Sequence, residues 1–105
     1  MTTSIPEACC TLDIEGQEQA RLVEMFKAIG NPHRFEIMKF LVTHPGCITG
    51  DIVALLPLAQ STVSQHLKVL RKAGWIEGEV DGPATNYCLH EENIAWFSTK
   101  VGEIF

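Results

Sequence analysis

The sequence has no long apolar run. The longest, Ile52 to Ala59, is interrupted by Pro57, well short of the roughly 20 residues that cross a bilayer. No membrane partner is therefore expected. The opening residues, Met1-Thr-Thr-Ser-Ile-Pro-Glu, have neither the basic nor the apolar region of a secretory leader. A cytoplasmic location is the expectation. Cys-x-x-Cys, a Gly-rich phosphate loop and a Gly-x-Ser-x-Gly elbow are all missing, so none of the enzyme classes they mark is expected. Repeats and low-complexity segments are missing too. Basic residues are few, with eight Lys and Arg against thirteen Asp and Glu and a net charge of −5. That balance does not favour a polyanion, but binding responds to the local patch rather than to the sum. Three of the eight basic residues, Lys68, Arg71 and Lys72, fall within five positions.

What is present suits one small domain. The 105 residues are 46% hydrophobic, enough for a single core. A chain of this size buries only a modest share of its surface, so a second subunit would help. Residues 1–16 show no sustained period and read as an N-terminal arm. Residues 17–30 read as a helix with Leu22, Val23, Phe26 and Ile29 on one stripe and Met25 beside it. Gly30 suits its end. Asn31-Pro32 then offers a cap and a first helical residue. The next helix carries Phe35, Ile37, Met38, Leu41 and Val42, and stops at Pro45-Gly46. A short third helix, about 50–56, is expected with Thr49 as its cap. A fourth spans Ser61 to Ala73 and ends at Gly74.

Beyond Gly74 the period changes. Trp75, Ile76 and Val80 begin one strand, Tyr87 and Leu89 mark a second, and Asp81-Gly82-Pro83 signals a tight turn between them. From Glu91 to Phe105 helical spacing returns with Ile94, Phe97, Val101 and Ile104. Helix, turn, helix and hairpin in this order predict a mainly α fold with a small β-hairpin (α+β). This is a winged helix-turn-helix of about five helices plus a two-stranded wing. Residues 17–105 are expected to form its DNA-binding and dimerisation domain, as the fourth helix argues below. The first and last helices keep apolar faces suited to a second subunit.

The fourth helix is the most informative segment. Val63, Leu67 and Leu70 share one face, with His66 next to them as a partly buried, satisfied histidine. Gln60, Ser61, Ser64, Gln65 and Lys68 share the other. Short polar side chains let a helix approach base edges, where Gln bonds adenine and Ser bonds bases or phosphates. Lys68, Arg71 and Lys72 lie where phosphates would pass. A solvated helix face is commonly polar as well. The flanking helix-turn-helix and hairpin shift the balance to double-stranded DNA.

The runs Phe26-Lys-Ala-Ile-Gly-Asn-Pro-His-Arg-Phe, Gln60-Ser-Thr-Val-Ser-Gln-His-Leu-Lys-Val-Leu and Ala73-Gly-Trp-Ile resemble the ArsR/SmtB family of metal-responsive repressors. The resemblance covers about residues 20–100 in the same order. It implies a homodimer joined through the first and last helices. Operator DNA would be read by Gln60, Ser61, Ser64 and Gln65. Two positions depart from the pattern. Ala59 stands where a Ser cap is usual, and the wing carries Glu77, Glu79 and Asp81, which repel phosphates.

Four cysteines are present. Cys9 and Cys10 lie on the arm, and Cys47 lies between the second and third helices. Thiolates prefer soft ions, and the spacing is not that of a four-ligand zinc site. Three thiolates suit a pyramidal centre such as arsenite or antimonite. The family's Cys-x-Cys version is broken, because position 49 is Thr. Its last-helix zinc site lacks a histidine within the helix, since His90 precedes it. Cys9-Cys10-Thr11-Leu12 with Cys47 resembles the arsenical repressors whose N-terminal pair reaches the partner's single cysteine. The resemblance implies Cys9, Cys10 and Cys47 as ligands of As(III) or Sb(III) acting as inducer, with no cofactor needed for folding. The alternative is a repressor of the same fold answering to thiol oxidation or to Cd, Pb or Zn. Cys88, beside Tyr87 in a predicted strand, is read as packing.

Overall fold

Asn31 and Pro32 set the first corner of the chain. The Asn31 side chain accepts from His33 N at 2.9 Å and Arg34 N at 3.2 Å, satisfying two amides that a helix start leaves open. Pro32 sits at the first helical position, where its missing N–H costs nothing. The computed structural model describes residues 15–44, 48–49, 56–78 and 86–105. Among these it contains four helices and three short strands in the order α1 (Gly16–Ile29), α2 (Pro32–Thr43), β1 (Ile48–Thr49), α3 (Gln60–Ala73), β2 (Ile76–Gly78), β3 (Asn86–Leu89) and α4 (Glu91–Ile104). This is the expected winged helix-turn-helix class.

The sheet is larger than the hairpin expected from the sequence. It has three strands in the order β1-β3-β2, both pairings antiparallel. Thr49, expected to cap a short helix, lies in β1 opposite Asn86. Ile-Thr is β-branched and fits extended backbone, and β3 supplies the hydrogen bonds that its peptide groups require. Residues 50–55 of the expected third helix lie outside the described residues, and Leu56 is a buried bend. The Asp81-Gly82-Pro83 turn, Glu79 and Val80 also lie outside, as does the arm up to residue 14.

The core sits where α1, α2, α3 and β2 meet. Met25, Ile37, Leu41, Val63, Leu67, Leu70 and Ile76 are each under 2% exposed, and burying such a side chain contributes about 1.5–3 kcal/mol. Trp75, expected to open a strand, instead turns the chain between α3 and β2. Its indole N–H donates to Met25 O at 2.9 Å, and its ring meets Phe97 edge-on at 4.7 Å. The ring thereby ties α1, the wing and α4 together.

The apolar stripes differ from those read along the sequence. On α1 the buried residues are Leu22, Met25 and Ala28, while Val23 and Phe26 remain 45% and 41% exposed. On α2, Ile37, Met38 and Leu41 are buried, while Phe35 and Val42 are exposed. Each helix therefore has two apolar faces, and a single chain covers only one of them. Phe26 on the open side of α1 meets Phe97 of α4 at 4.9 Å.

Two glycines behave differently. Gly30 ends α1 with an ordinary φ of −76°, so its conformational freedom is unused. Gly74 ends α3 at φ 100°, and a Cβ there would come within 2.9 Å of the Asn93 amide nitrogen. That amide donates to Gly74 O at 3.0 Å and accepts from Arg21 at 2.6 Å. The close approach fastens the end of the predicted reading helix to both α1 and α4.

Candidate nucleic-acid interface and thiol residues

Helix α3 buries Val63, Leu67 and Leu70 and turns its remaining positions outward. Gln60, Ser61, Gln65, Arg71 and Lys72 are exposed, and Ser64 and Lys68 are half-buried. Lys68 is engaged by another group of the chain. The residues expected to contact DNA thus run along one helix, polar at its start and basic toward its end. Ala59 gives no side-chain cap; its carbonyl alone accepts from Thr62 N and Val63 N at 3.0 Å. At the other end Arg71 and Lys72 occupy the last turn, where cations also suit the helix dipole.

His66 lies between the two faces. Its Nδ1 is 3.2 Å from Arg34 Nη1. A guanidinium only donates, so Nδ1 accepts and the ring proton sits on Nε2. Burial lowers the pKa of His66 below 6.5, and the neighbouring Arg34 and His33 charges push it the same way. Arg34 Nε donates to Ala28 O at 2.6 Å. One guanidinium therefore joins the end of α1, the start of α2 and the middle of α3. His66 is the satisfied histidine expected from its position beside the apolar stripe. Arg34 had no role in the sequence reading. Its signal is an Arg one turn into a helix that must lie against a buried histidine.

Among the cysteines, Cys9, Cys10 and Cys47 lie outside the described residues. Cys88 is described, and it is disulfide-bonded. This corrects its reading as a packing residue. Side chains alternate along a strand, so with Tyr87 buried and Leu89 against the core, Cys88 faces the other side of the sheet. His90 caps α4, its Nδ1 accepting from Asn93 N at 3.4 Å. Among the described residues, no three His, Cys, Asp or Glu side chains gather as a metal site.

A polar and basic helix exposed between a helical core and a three-stranded wing defines a winged helix-turn-helix DNA-binding protein. Residues 31–77 match the family model described as bacterial regulatory protein, arsR family, a span from the α2 cap to β2. The HTH-type transcriptional regulator YbzH of Bacillus subtilis is 34% identical, over 69% of this chain and 86% of its own. The arsenical resistance operon repressor of Bacillus subtilis is 32% identical, over 68% of each chain. The crystal structure of the ArsR family transcriptional regulator RHA00566 superimposes with a TM-score of 0.71 at 20% identity, covering 85% of this chain and 91% of that one, a likeness of fold. The chain belongs to the ArsR family of transcriptional regulators, and it is a DNA-binding regulator rather than an enzyme. No helix among the described residues is long and apolar enough to cross a membrane.

Proposed function

We propose that the protein is a homodimeric repressor whose α3 reads operator DNA. In this reading As(III) or Sb(III), bound by the thiolates of Cys9, Cys10 and Cys47, releases it from the operator. The observation that carries the DNA half is the exposed row Gln60, Ser61, Gln65, Arg71 and Lys72 on one helix, fixed at its middle by Arg34 and at its end by Asn93. Gln60, Ser61, Ser64 and Gln65 face bases, while Lys68, Arg71 and Lys72 meet phosphates. Two such helices in a symmetric dimer would lie about one DNA turn apart. The open apolar faces of α1 and α4 support that dimer.

Donor chemistry supports the metalloid half. Three thiolates match a trivalent, thiophilic, three-coordinate centre, whereas a structural zinc site takes four ligands. A relative named as an arsenical resistance operon repressor is similar over two thirds of the chain. Inducer and operator then oppose each other reciprocally, with a coupling of about 1–3 kcal/mol typical of such switches. Thiol-redox control is the second reading, favoured by the disulfide at Cys88. The test is operator binding by reduced protein, titrated in parallel with arsenite, antimonite, cadmium, zinc and peroxide. Arsenite and antimonite should release the operator, and Ser at position 9, 10 or 47 should abolish release while leaving operator affinity intact. Full arsenite response in Cys47→Ser would overturn the ligand set.

A further inference from the structure

A cleft of about 640 Å³ lies between α1 and α3, with Arg34 of α2 also on its wall. Cavities of roughly this size take small organic ligands. Arg21, Lys27, Arg34 and Lys72 line it, against a single carboxylate, Glu24. Half of the eight basic residues thus meet at one place, on a chain of net charge −5. Arg34 Nε donates to Ala28 O at 2.6 Å, and its Nη1 to His66 Nδ1 at 3.2 Å. Arg21 donates to Asn93 Oδ1 at 2.6 Å and lies 3.9 Å from the centre of the Trp96 ring. Both guanidinium groups are therefore held in place, and each keeps further N–H donors. Fixed guanidinium donors suit phosphate, which they bind in bidentate fashion. Lys27 pairs with Glu24 at 3.3 Å, both side chains being largely exposed; such a pair is weak and readily exchanged. Lys72 is exposed in the last turn of α3. The rest of the wall is apolar, formed by buried Ala28, half-buried Ala73 and exposed Val69. Arg21, Glu24 and Ala28 follow one row of α1 at spacings of three and four, apart from the open Val23 and Phe26.

We propose that this cleft binds a small organic phosphate, its phosphate among the four cations and its apolar body against Ala28, Val69 and Ala73. A phosphate monoester carries about −1.5 to −2 charge at pH 7. It therefore matches four cations and one carboxylate better than a monocarboxylate does. The apolar wall favours a monoester with a ring or short alkyl body over the bare ion. Lys72 is also one of the proposed contacts to operator phosphates, so an occupied cleft would withdraw it from the DNA. That second part rests on the DNA-reading role proposed above; the binding itself does not.

Calorimetry on the reduced full-length protein, in phosphate-free buffer at about pH 7.5, compares phenyl phosphate with inorganic phosphate and benzoate. Phenyl phosphate should bind about tenfold tighter than either. Lys27→Gln and Lys72→Gln should each weaken it about tenfold. Lys39→Gln removes the same charge from an exposed position of α2 and should change it less than about twofold. No binding of phenyl phosphate overturns the proposal. So does equal binding of inorganic phosphate, which would make the cleft a seat for a bare phosphate such as one of the DNA backbone. Equal weakening by Lys39→Gln would reduce the effect to overall charge and overturn it too. Operator affinity is then measured with and without saturating phenyl phosphate. It should fall about fivefold or more, and Lys27→Gln at the same concentration should show a smaller fall. Unchanged operator affinity of the wild type overturns the withdrawal of Lys72. Failure of the ligand-free protein to bind any operator removes the DNA-reading role and the withdrawal with it, while the cleft is still judged on calorimetry alone.

Discussion

Helices α3 and α4 are the same length, 14 residues each, yet they end differently. α3 buries Val63, Leu67 and Leu70 at no more than 1% exposure. α4 has at least as many large apolar residues, including Ile94, Trp96, Phe97, Val101 and Ile104, and buries none of them fully. One chain is enough to complete the environment of α3. It leaves α4 half covered, beside the exposed Val23 and Phe26 of α1. A helix whose apolar side is only half covered has hydrophobic free energy still to gain, and a second subunit is the simplest source of it. The contrast separates a helix finished by folding from one that would be finished by assembly.

The largest effect expected is on the finished helix. Leu67→Ala removes a side chain 1% exposed and should cost about 2–5 kcal/mol of folding free energy, read by urea denaturation. Operator binding should fall with it. A loss below about 1 kcal/mol, as at surface sites, would mean that α3 is not anchored as described. On the unfinished side, Val23→Asp should barely change the stability of a monomer, because Val23 is 45% exposed. A charge forced into a dimer interface without a partner costs about 3 kcal/mol or more, so sedimentation should show a shift to monomer. Unchanged dimerisation would move the interface away from α1 and α4.

Gln65→Ala tests the outer face of α3 alone. It should weaken specific operator binding by about 1–3 kcal/mol with no change in melting temperature. Lys68→Ala should weaken binding to every sequence and flatten the salt slope. Full operator affinity in both variants would remove α3 from the reading role. This outer face was legible because it depends on local features. Helical period, the Asn31-Pro32 corner and Gly74 each act within a few residues. The sheet was less legible. β1 exists because β3 lies alongside, with Ile48 opposite Tyr87, 39 residues later; such long-range pairing leaves no period in two residues. Cys88 was misread for the same reason, since its cross-strand neighbour, Glu77 of β2, comes from another segment of the chain. The stripes of α1 and α2 were blurred because each helix has two apolar faces, and periodicity alone does not say which one the chain itself covers.

The smallest effect expected lies on the border between the faces of α3. His66 is neutral at Nδ1 in order to accept from Arg34, and burial, with the Arg34 and His33 charges, holds its pKa below 6.5. The unfolded chain therefore binds its proton first as the pH falls. The stability contributed by the neutral ring is complete above the unfolded value. It declines as the pH drops below 6.5, and is lost once the pH has passed through the lower folded pKa. Protonation also removes the acceptor, so Arg34 would lose its hold on α3 while keeping the one on Ala28 O. His66→Asn offers an amide oxygen as acceptor but no titrating group. Melting temperatures of wild type and variant, compared between about pH 7.5 and pH 5, should diverge as the pH falls, with the wild type losing more. Parallel curves would show that the ring does not titrate against Arg34, and that α3 is held at this border by packing alone.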